Sequence, residues 1–117
     1  EGGTVTGPLL SGTIEAGGAD WSTVLASGAT HLDARYLVRT DDGALVEIVD
    51  DGFRHGSADV VQRLAAGDAV AADEYYKRSS IRLESGDDRY NWVNTTVFVG
   101  TGMRTSTGVT ISVYAVR

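Results

Sequence analysis

The chain contains no cysteine and only one proline among its 117 residues. Without cysteine it cannot form a disulfide framework, a zinc–thiolate site or a cysteine nucleophile. No apolar run approaches the length of a membrane-spanning helix, and the first residues show no basic region followed by an apolar stretch. We therefore expect a cytoplasmic protein with no membrane partner, because the absence of cysteine suits a reducing compartment.

The net charge limits the possible binding partners, and the glycine content indicates the kind of fold. The net charge of −6 opposes binding to phosphate backbones, so we expect no nucleic-acid partner. The 15 glycines predict many tight turns between regular elements rather than disorder. A chain of 117 residues predicts one domain, spanning residues 1–117.

Turn signals recur about every ten residues, and the segments between them are rich in Val, Ile, Thr and Tyr, which is typical of an all-β barrel or sandwich. A sheet of seven strands would leave two open edges, so we expect a second copy of the chain, in a homodimer or higher homo-oligomer, or an upstream segment, to pair with them. The predicted strands are 5–15, 23–26, 31–40, 44–50, 75–84, 91–101 and 109–117.

One segment departs from the β pattern. Val60, Val61 and Leu64 recur at helical spacing, Ser57 can cap the start and Gly67 can end the segment. The pattern predicts one short α-helix near residues 57–66.

Charged residues share a face on two of the predicted strands. Asp33 and Arg35 are two apart, Arg78 and Glu84 are six apart, and side chains alternate between faces along a strand. If these faces line a barrel lumen, the arginines can hold a carboxylate or enolate, and a carboxyl group can act as acid or base. If they face water, they form an ordinary ladder of ion pairs. Spacing alone leaves both interpretations open.

The two tryptophans allow two interpretations as well. Trp21 follows a glycine turn, and Trp92 shares a face with Asn94 if residues 91–101 form a strand. Either ring could wall a pocket, with Asn94 as a polar handle, or plug the core.

The histidines support no metal site. His31 and His55 are isolated, and neither has the spacing of a metal-ligand pair. His55 precedes the predicted helix, where it could shuttle protons at a pocket mouth or only shape the loop. The run at 100–102 lacks the third glycine of a dinucleotide fingerprint, and we expect no cofactor.

A series of short runs recurs in the same order along a known family. The runs are GPLLSG at 7–12, GGADW at 17–21, LDARY at 32–36, RTDDGA at 39–44, YYKR at 75–78, LESG at 83–86 and YNWVN at 90–94. From about residue 2 to residue 117 the chain resembles the domain of unknown function 3237 family, also called UPF0311 proteins. The resemblance implies a calycin-like antiparallel β-barrel of about eight strands around a small-molecule cavity. It implies no settled activity, and family members usually have a further strand upstream.

The family's recurrent polar and aromatic positions coincide with the residues grouped above, which favours the lumen interpretation. The chain departs from the family at Lys77, where members often carry an aromatic residue, and at Leu83, where they often carry Phe. Ligand identity therefore does not transfer. The recurrent positions fall on Asp20, Trp21, Asp33, Arg35, Arg78, Glu84, Trp92 and Asn94.

We expect the domain to bind a small anionic or carbonyl-bearing organic molecule in its lumen, as a cofactor-free isomerase, cyclase or lyase. In this hypothesis Glu84 or Asp33 is the catalytic acid or base, while Arg35 and Arg78 hold the anionic group. The alternatives are a non-catalytic carrier with the same pocket and a structural, oligomerising domain with its charged clusters on the surface. The remaining candidate ligand-binding residues are Trp21, Trp92, Asn94, Asp20, Tyr76 and His55.

Overall fold

The fold is an antiparallel sheet of eight strands that curls into a half-barrel, as the sequence predicts. A computed structural model describes residues 3–7, 9–68, 70–105 and 108–117. Within those ranges the elements are β1 (Gly3–Val5), β2 (Gly12–Ile14), β3 (Ala19–Val24), β4 (Thr30–Thr40), β5 (Leu45–His55), α1 (Ala58–Ala65), a 3₁₀ turn (Ala72–Glu74), β6 (Tyr76–Glu84), a 3₁₀ segment (Asp88–Thr95), β7 (Val97–Thr105) and β8 (Gly108–Val116).

Most strands that pair in the sheet are also consecutive in the sequence. Its strands follow the order β1-β2-β4-β5-β6-β7-β8, and β3 pairs with β4 on the same side as β2. In the ranges described, β1 and β8 do not pair with each other, so the expectation that another chain or segment meets these edges stays a prediction. No helix in those ranges is long and apolar enough to cross a bilayer.

The hydrophobic core lies on the concave face of the sheet. Val38 and Val46 face each other across β4 and β5 and are fully buried. The 3₁₀ segment Asp88–Thr95, which we call the cap segment, packs against this core with the buried side chains of Tyr90 and Val93. The buried core comprises Val38, Ala44, Val46, Ile48, Ile81, Leu83, Tyr90, Val93 and Phe98.

Side-chain hydrogen bonds attach the cap segment to the sheet. The Asn94 amide oxygen accepts the Ser85 N–H at 2.8 Å, and the Asn94 amide nitrogen donates to the Ser85 carbonyl at 3.0 Å. The Ser85 hydroxyl in turn donates to the Leu45 carbonyl at 2.7 Å, and the Tyr90 hydroxyl donates to the Asp42 carboxylate at 3.0 Å. These bonds fix the cap segment to the turn between β4 and β5 and to the residue that follows β6.

The predicted helix is confirmed. The Ser57 hydroxyl accepts the Val60 N–H at 3.2 Å, as an N-cap does, and Gly67 ends the helix with a φ of +82°. The apolar side of α1 buries Val60 and Leu64 in a small cluster separate from the main core.

Four predicted strands were wrong in extent, and the sheet has eight strands rather than the seven that the turn signals predict. The strand predicted at 23–26 is β3 (Ala19–Val24), and the strand predicted at 44–50 continues to His55 in β5. The segment predicted as one strand at 5–15 forms the two short strands β1 and β2. The strand predicted at 91–101 begins only at Val97, because local hydrogen bonds hold the preceding residues in the cap segment. Asp87 accepts the Arg89 N–H at 2.9 Å and so starts a 3₁₀ turn, as short polar side chains commonly do.

We expect Asn94→Ala to lower the free energy of unfolding by about 1–3 kcal/mol, because it leaves both polar groups of the partly buried Ser85 backbone without their partner. Urea denaturation measures the loss. The control is Asn91→Ala in the same segment, which removes only one exposed hydrogen bond of 3.3 Å to Asn94. Equal losses in the two variants would contradict the bridging role of Asn94.

Candidate functional site

The four charged residues predicted to line the lumen share one face of the sheet, but it is the convex face, opposite the core. Asp33 pairs across the sheet with Asp51, and Arg35 pairs with Val49, while the residues between them on β4 face the core. The expected convergence in a lumen is therefore wrong for this geometry. The acid–base role of Glu84 and Asp33, and the anion-binding role of Arg35 and Arg78, stay predictions. The convex face carries Asp33, Arg35, Arg78 and Glu84.

On the convex face Arg35 and Arg78 are exposed and contact neighbouring side chains. Arg35 lies 3.7 Å from the Asp33 carboxylate, with the arginine side chain more than half exposed. The guanidinium of Arg78 lies 5.5 Å from the centre of the Tyr76 ring, and His55 stacks on the same ring at 4.7 Å. The exposure of the two arginines matches the interpretation of a solvated face, whereas one carboxylate oxygen of Asp33 is buried without a hydrogen bond.

The tryptophans and Asn94 divide between the two faces. Trp21 pairs with Asp33 on the convex face and is 56 % exposed. Trp92 is partly buried, and its ring packs against Phe98 at 6.1 Å, so it contributes to the core. Asn94 bridges to Ser85, as described above. Asp20 is the predicted site residue that β3 directs toward the concave face, where its cross-strand partner is Ala34.

Beyond the core, the concave face carries a polar cluster that the sequence analysis missed. Asp50 follows Val46 and Ile48 on the same face of β5 and is only 8 % exposed. The Ser79 hydroxyl is hydrogen-bonded to its carboxylate, and the positive charge of Lys77 lies close enough to stabilise it. We call Asp50, Ser79, Lys77, Tyr36 and Asp20 the concave cluster.

Burial shifts the acidity of two groups in the concave cluster. Burial raises the pKa of Asp50, and the nearby charge of Asp20 adds to this effect, whereas the Ser79 hydrogen bond and the Lys77 charge oppose it. Burial, together with the charges of Asp50 and Asp20, raises the pKa of Tyr36 to about 12. The pKa of Asp50 therefore lies above that of an exposed carboxyl group, and Tyr36 remains a protonated hydrogen-bond donor.

Two glycines of β7 provide the floor on which this cluster rests. A Cβ atom at Gly102 would lie 2.7 Å from the Lys77 Nζ, and one at Gly100 would lie 3.0 Å from the Ser79 hydroxyl oxygen. Both distances are shorter than van der Waals contact. Glycine at these positions therefore lets both side chains lie flat across the concave face.

The sequence contains one pattern from which this cluster could have been predicted. Val46, Ile48 and Asp50 alternate on one face of β5, so Asp50 is a charged residue that continues an apolar row. In the part of the chain that the structure describes, no group of three His, Asp or Glu side chains could hold a metal ion.

The comparison with protein families agrees with this architecture. The family model described as "protein of unknown function (DUF3237)" matches residues 1–116. This chain belongs to that family. The sequence-based resemblance is therefore confirmed.

Three other proteins are similar to this chain. A UPF0311 protein of Rhodopseudomonas palustris (strain TIE-1) is 34% identical over 115 residues, covering 98% of this chain and 75% of its own length. A crystal structure of a β-barrel-like protein from Acinetobacter baumannii has a TM-score of 0.82 and 40% identity, covering 100% of this chain and 74% of that chain. The hydroalkoxylation enzyme phnH of Penicillium herquei is 29% identical over 100 residues, covering 86% of this chain and 52% of the enzyme.

We expect Asp50→Asn to make this DUF3237 domain more stable at pH 7, because the raised pKa means that folding disfavours the charged carboxylate. The folded state then binds the proton more tightly, so stability falls as the pH rises from the unfolded value of 3.8 through the folded pKa. The gain in the variant should disappear as the pH falls below 3.8. Thermal unfolding across this pH range measures it.

The matched control is Asp51→Asn, at the neighbouring position on β5 but on the convex face. Asp51 is exposed and lies 3.0 Å from the His31 ring nitrogen, so its removal should bring no gain at pH 7. An equal gain in both variants would indicate a general effect of net charge and would contradict the role of burial at Asp50.

Proposed function

We propose that this chain binds a small carbonyl-bearing organic molecule at the concave cluster. There it catalyses cofactor-free addition of a hydroxyl group across a conjugated carbon–carbon double bond, or the reverse elimination. The observation that carries this proposal is the buried carboxyl of Asp50 at the end of the apolar row of Val46 and Ile48, with Ser79 and Lys77 beside it. A buried titratable group with a defined charge partner is typical of a functional site.

The concave cluster offers a group for each proton and charge in this reaction. Asp50 takes the proton of the substrate hydroxyl, and the hydroxyl oxygen forms a bond to the β-carbon of the double bond. The electron pair of the double bond moves to the carbonyl oxygen, where Lys77 and the protonated phenol of Tyr36 stabilise the negative charge. Asp50 then returns the proton to the α-carbon, so atoms and charge balance without a cofactor.

The named function of one relative supports this reaction class. The Penicillium herquei relative is called a hydroalkoxylation enzyme, and hydroalkoxylation is the addition of an O–H group across a double bond. Burial raises the pKa of Asp50 above that of an exposed carboxyl group, which makes its carboxylate a stronger base for the proton transfers that both directions of this reaction require. The apolar residues around the cluster suit the hydrocarbon part of such a substrate.

We expect the protein to accelerate ring closure of 2′-hydroxychalcone, a hydroxy enone whose absorbance changes when conjugation is lost. Asp50→Asn should reduce kcat by about 10²–10⁴-fold, because the amide cannot exchange a proton while its shape is retained. Glu84→Gln and Asp33→Asn on the convex face are the matched controls and should keep the parental rate.

The same series separates the possible assignments. A full rate in Asp50→Asn with a loss in Glu84→Gln or Asp33→Asn would overturn our assignment and support the acid–base residues predicted from sequence. Binding of hydroxy enones without ring closure in any variant would instead indicate a carrier.

A further inference from the structure

A groove lies at the open end of the concave face, between α1 and the turn that joins β3 to β4. Its volume is about 190 Å³, which is about six times the roughly 30 Å³ that one water occupies in the liquid. Val24, Thr30 and Arg54 line it from the sheet, and Val61 and Leu64 line it from the helix. The groove is therefore large enough for part of a small organic molecule.

Arg54 is the charged residue that the groove places beside apolar walls. It is half-buried and lies on the concave face, where its cross-strand partners are Thr30 and Lys77. Within the residues that the structure describes, no carboxylate oxygen lies within 4.0 Å of its guanidinium. Arginines that do have such a partner are Arg35, Arg39, Arg63 and Arg89.

Position distinguishes Arg54 from the other arginines whose described side chains form no ion pair. Arg78, Arg82 and Arg117 are exposed, so water solvates their charge. A half-buried guanidinium is less well hydrated than an exposed one. An anion bound beside it can therefore replace the hydration that burial removes. Its planar fork of donors matches the two oxygens of a carboxylate.

The walls of the groove indicate the rest of the ligand. Val61 is 40 % exposed and Val24 is 74 % exposed, although both are apolar. An apolar group seated between them would remove this surface from water, which is favourable. Thr30, the cross-strand partner of Arg54, adds a polar residue to the same wall.

We infer that this groove is an anion-binding site in which Arg54 holds the carboxylate of a small amphipathic acid, with its apolar body between Val24 and Val61. Arg54 and Asp50 lie four residues apart on one face of β5, which is about 13 Å along a strand. An acid held at Arg54 can therefore extend along the concave face toward the concave cluster. Only this last step, which makes the acid a substrate, rests on the proposed function.

Binding of 3-phenylpropanoate and of its neutral amide, 3-phenylpropanamide, tests the site by isothermal titration calorimetry. We expect the parent protein to bind the carboxylate and to bind the amide more weakly. Arg54→Met keeps an apolar stem but removes the charge, and should weaken carboxylate binding by roughly ten- to hundredfold. Arg82→Met, an exposed arginine on the convex face, should leave the affinity unchanged.

A second variant keeps the test decisive if Arg54→Met fails to fold. Val61→Glu places a carboxylate at an exposed helical position in the groove, so it should repel the acid and leave the main core intact. Equal affinities for acid and amide in the parent, or unchanged acid binding in Arg54→Met or Val61→Glu, would overturn the inference.

One further variant separates this inference from the proposed function. Asp50→Asn should bind 3-phenylpropanoate as well as the parent does, even though we expect it to lose ring-closing activity. Retained binding with no activity in any protein would therefore contradict the proposed reaction while supporting the anion site. Loss of acid binding in Asp50→Asn would overturn the assignment of the anion to Arg54.

Discussion

The pairing register between β4 and β5 determines which side chains face the concave side of the sheet and which face the convex side. These strands pair over ten consecutive positions, from Thr30 opposite Arg54 to Arg39 opposite Leu45. A slip of one residue would turn every side chain of one strand to the other face. The turn prevents this slip, because Gly43 adopts a φ of +92° and the Thr40 hydroxyl accepts the Ala44 N–H at 2.8 Å. The core, the concave cluster and the Arg54 groove all depend on that turn.

Local sequence was sufficient for much of the fold. The Ser57 cap and the spacing of Val60 and Leu64 gave the helix correctly, because caps and helical periodicity are local properties. The alternation at 91–101 was misleading, since Asp87 and Asn94 make hydrogen bonds that favour a 3₁₀ segment over a strand. Such bonds involve partners that strand periodicity does not describe.

The site was harder to predict than the fold because it requires knowing which face is concave. Leu32, Ala34 and Val38 are apolar on one face of β4, and the structure directs that face inward. Most of the positions that the family resemblance indicates lie on the opposite face, among them Asp33, Arg35 and Arg78. Asp50 was overlooked because it is a single carboxyl at the end of an apolar row, and its neighbours Ser79 and Lys77 come from a strand about thirty residues later.

The glycine beneath Lys77 links two positions that are distant in sequence. A lysine that lies flat on β7 requires position 102 to have no side chain, and a side chain at 102 would push the Lys77 ammonium group away. The identity of residue 102 is therefore a condition on residue 77, and the two should covary among relatives. A relative with an aromatic residue at position 77 would line the same floor with a ring instead of a charge. Exchanging these two residues together would be a short evolutionary route from a charged to an aromatic floor on an unchanged barrel.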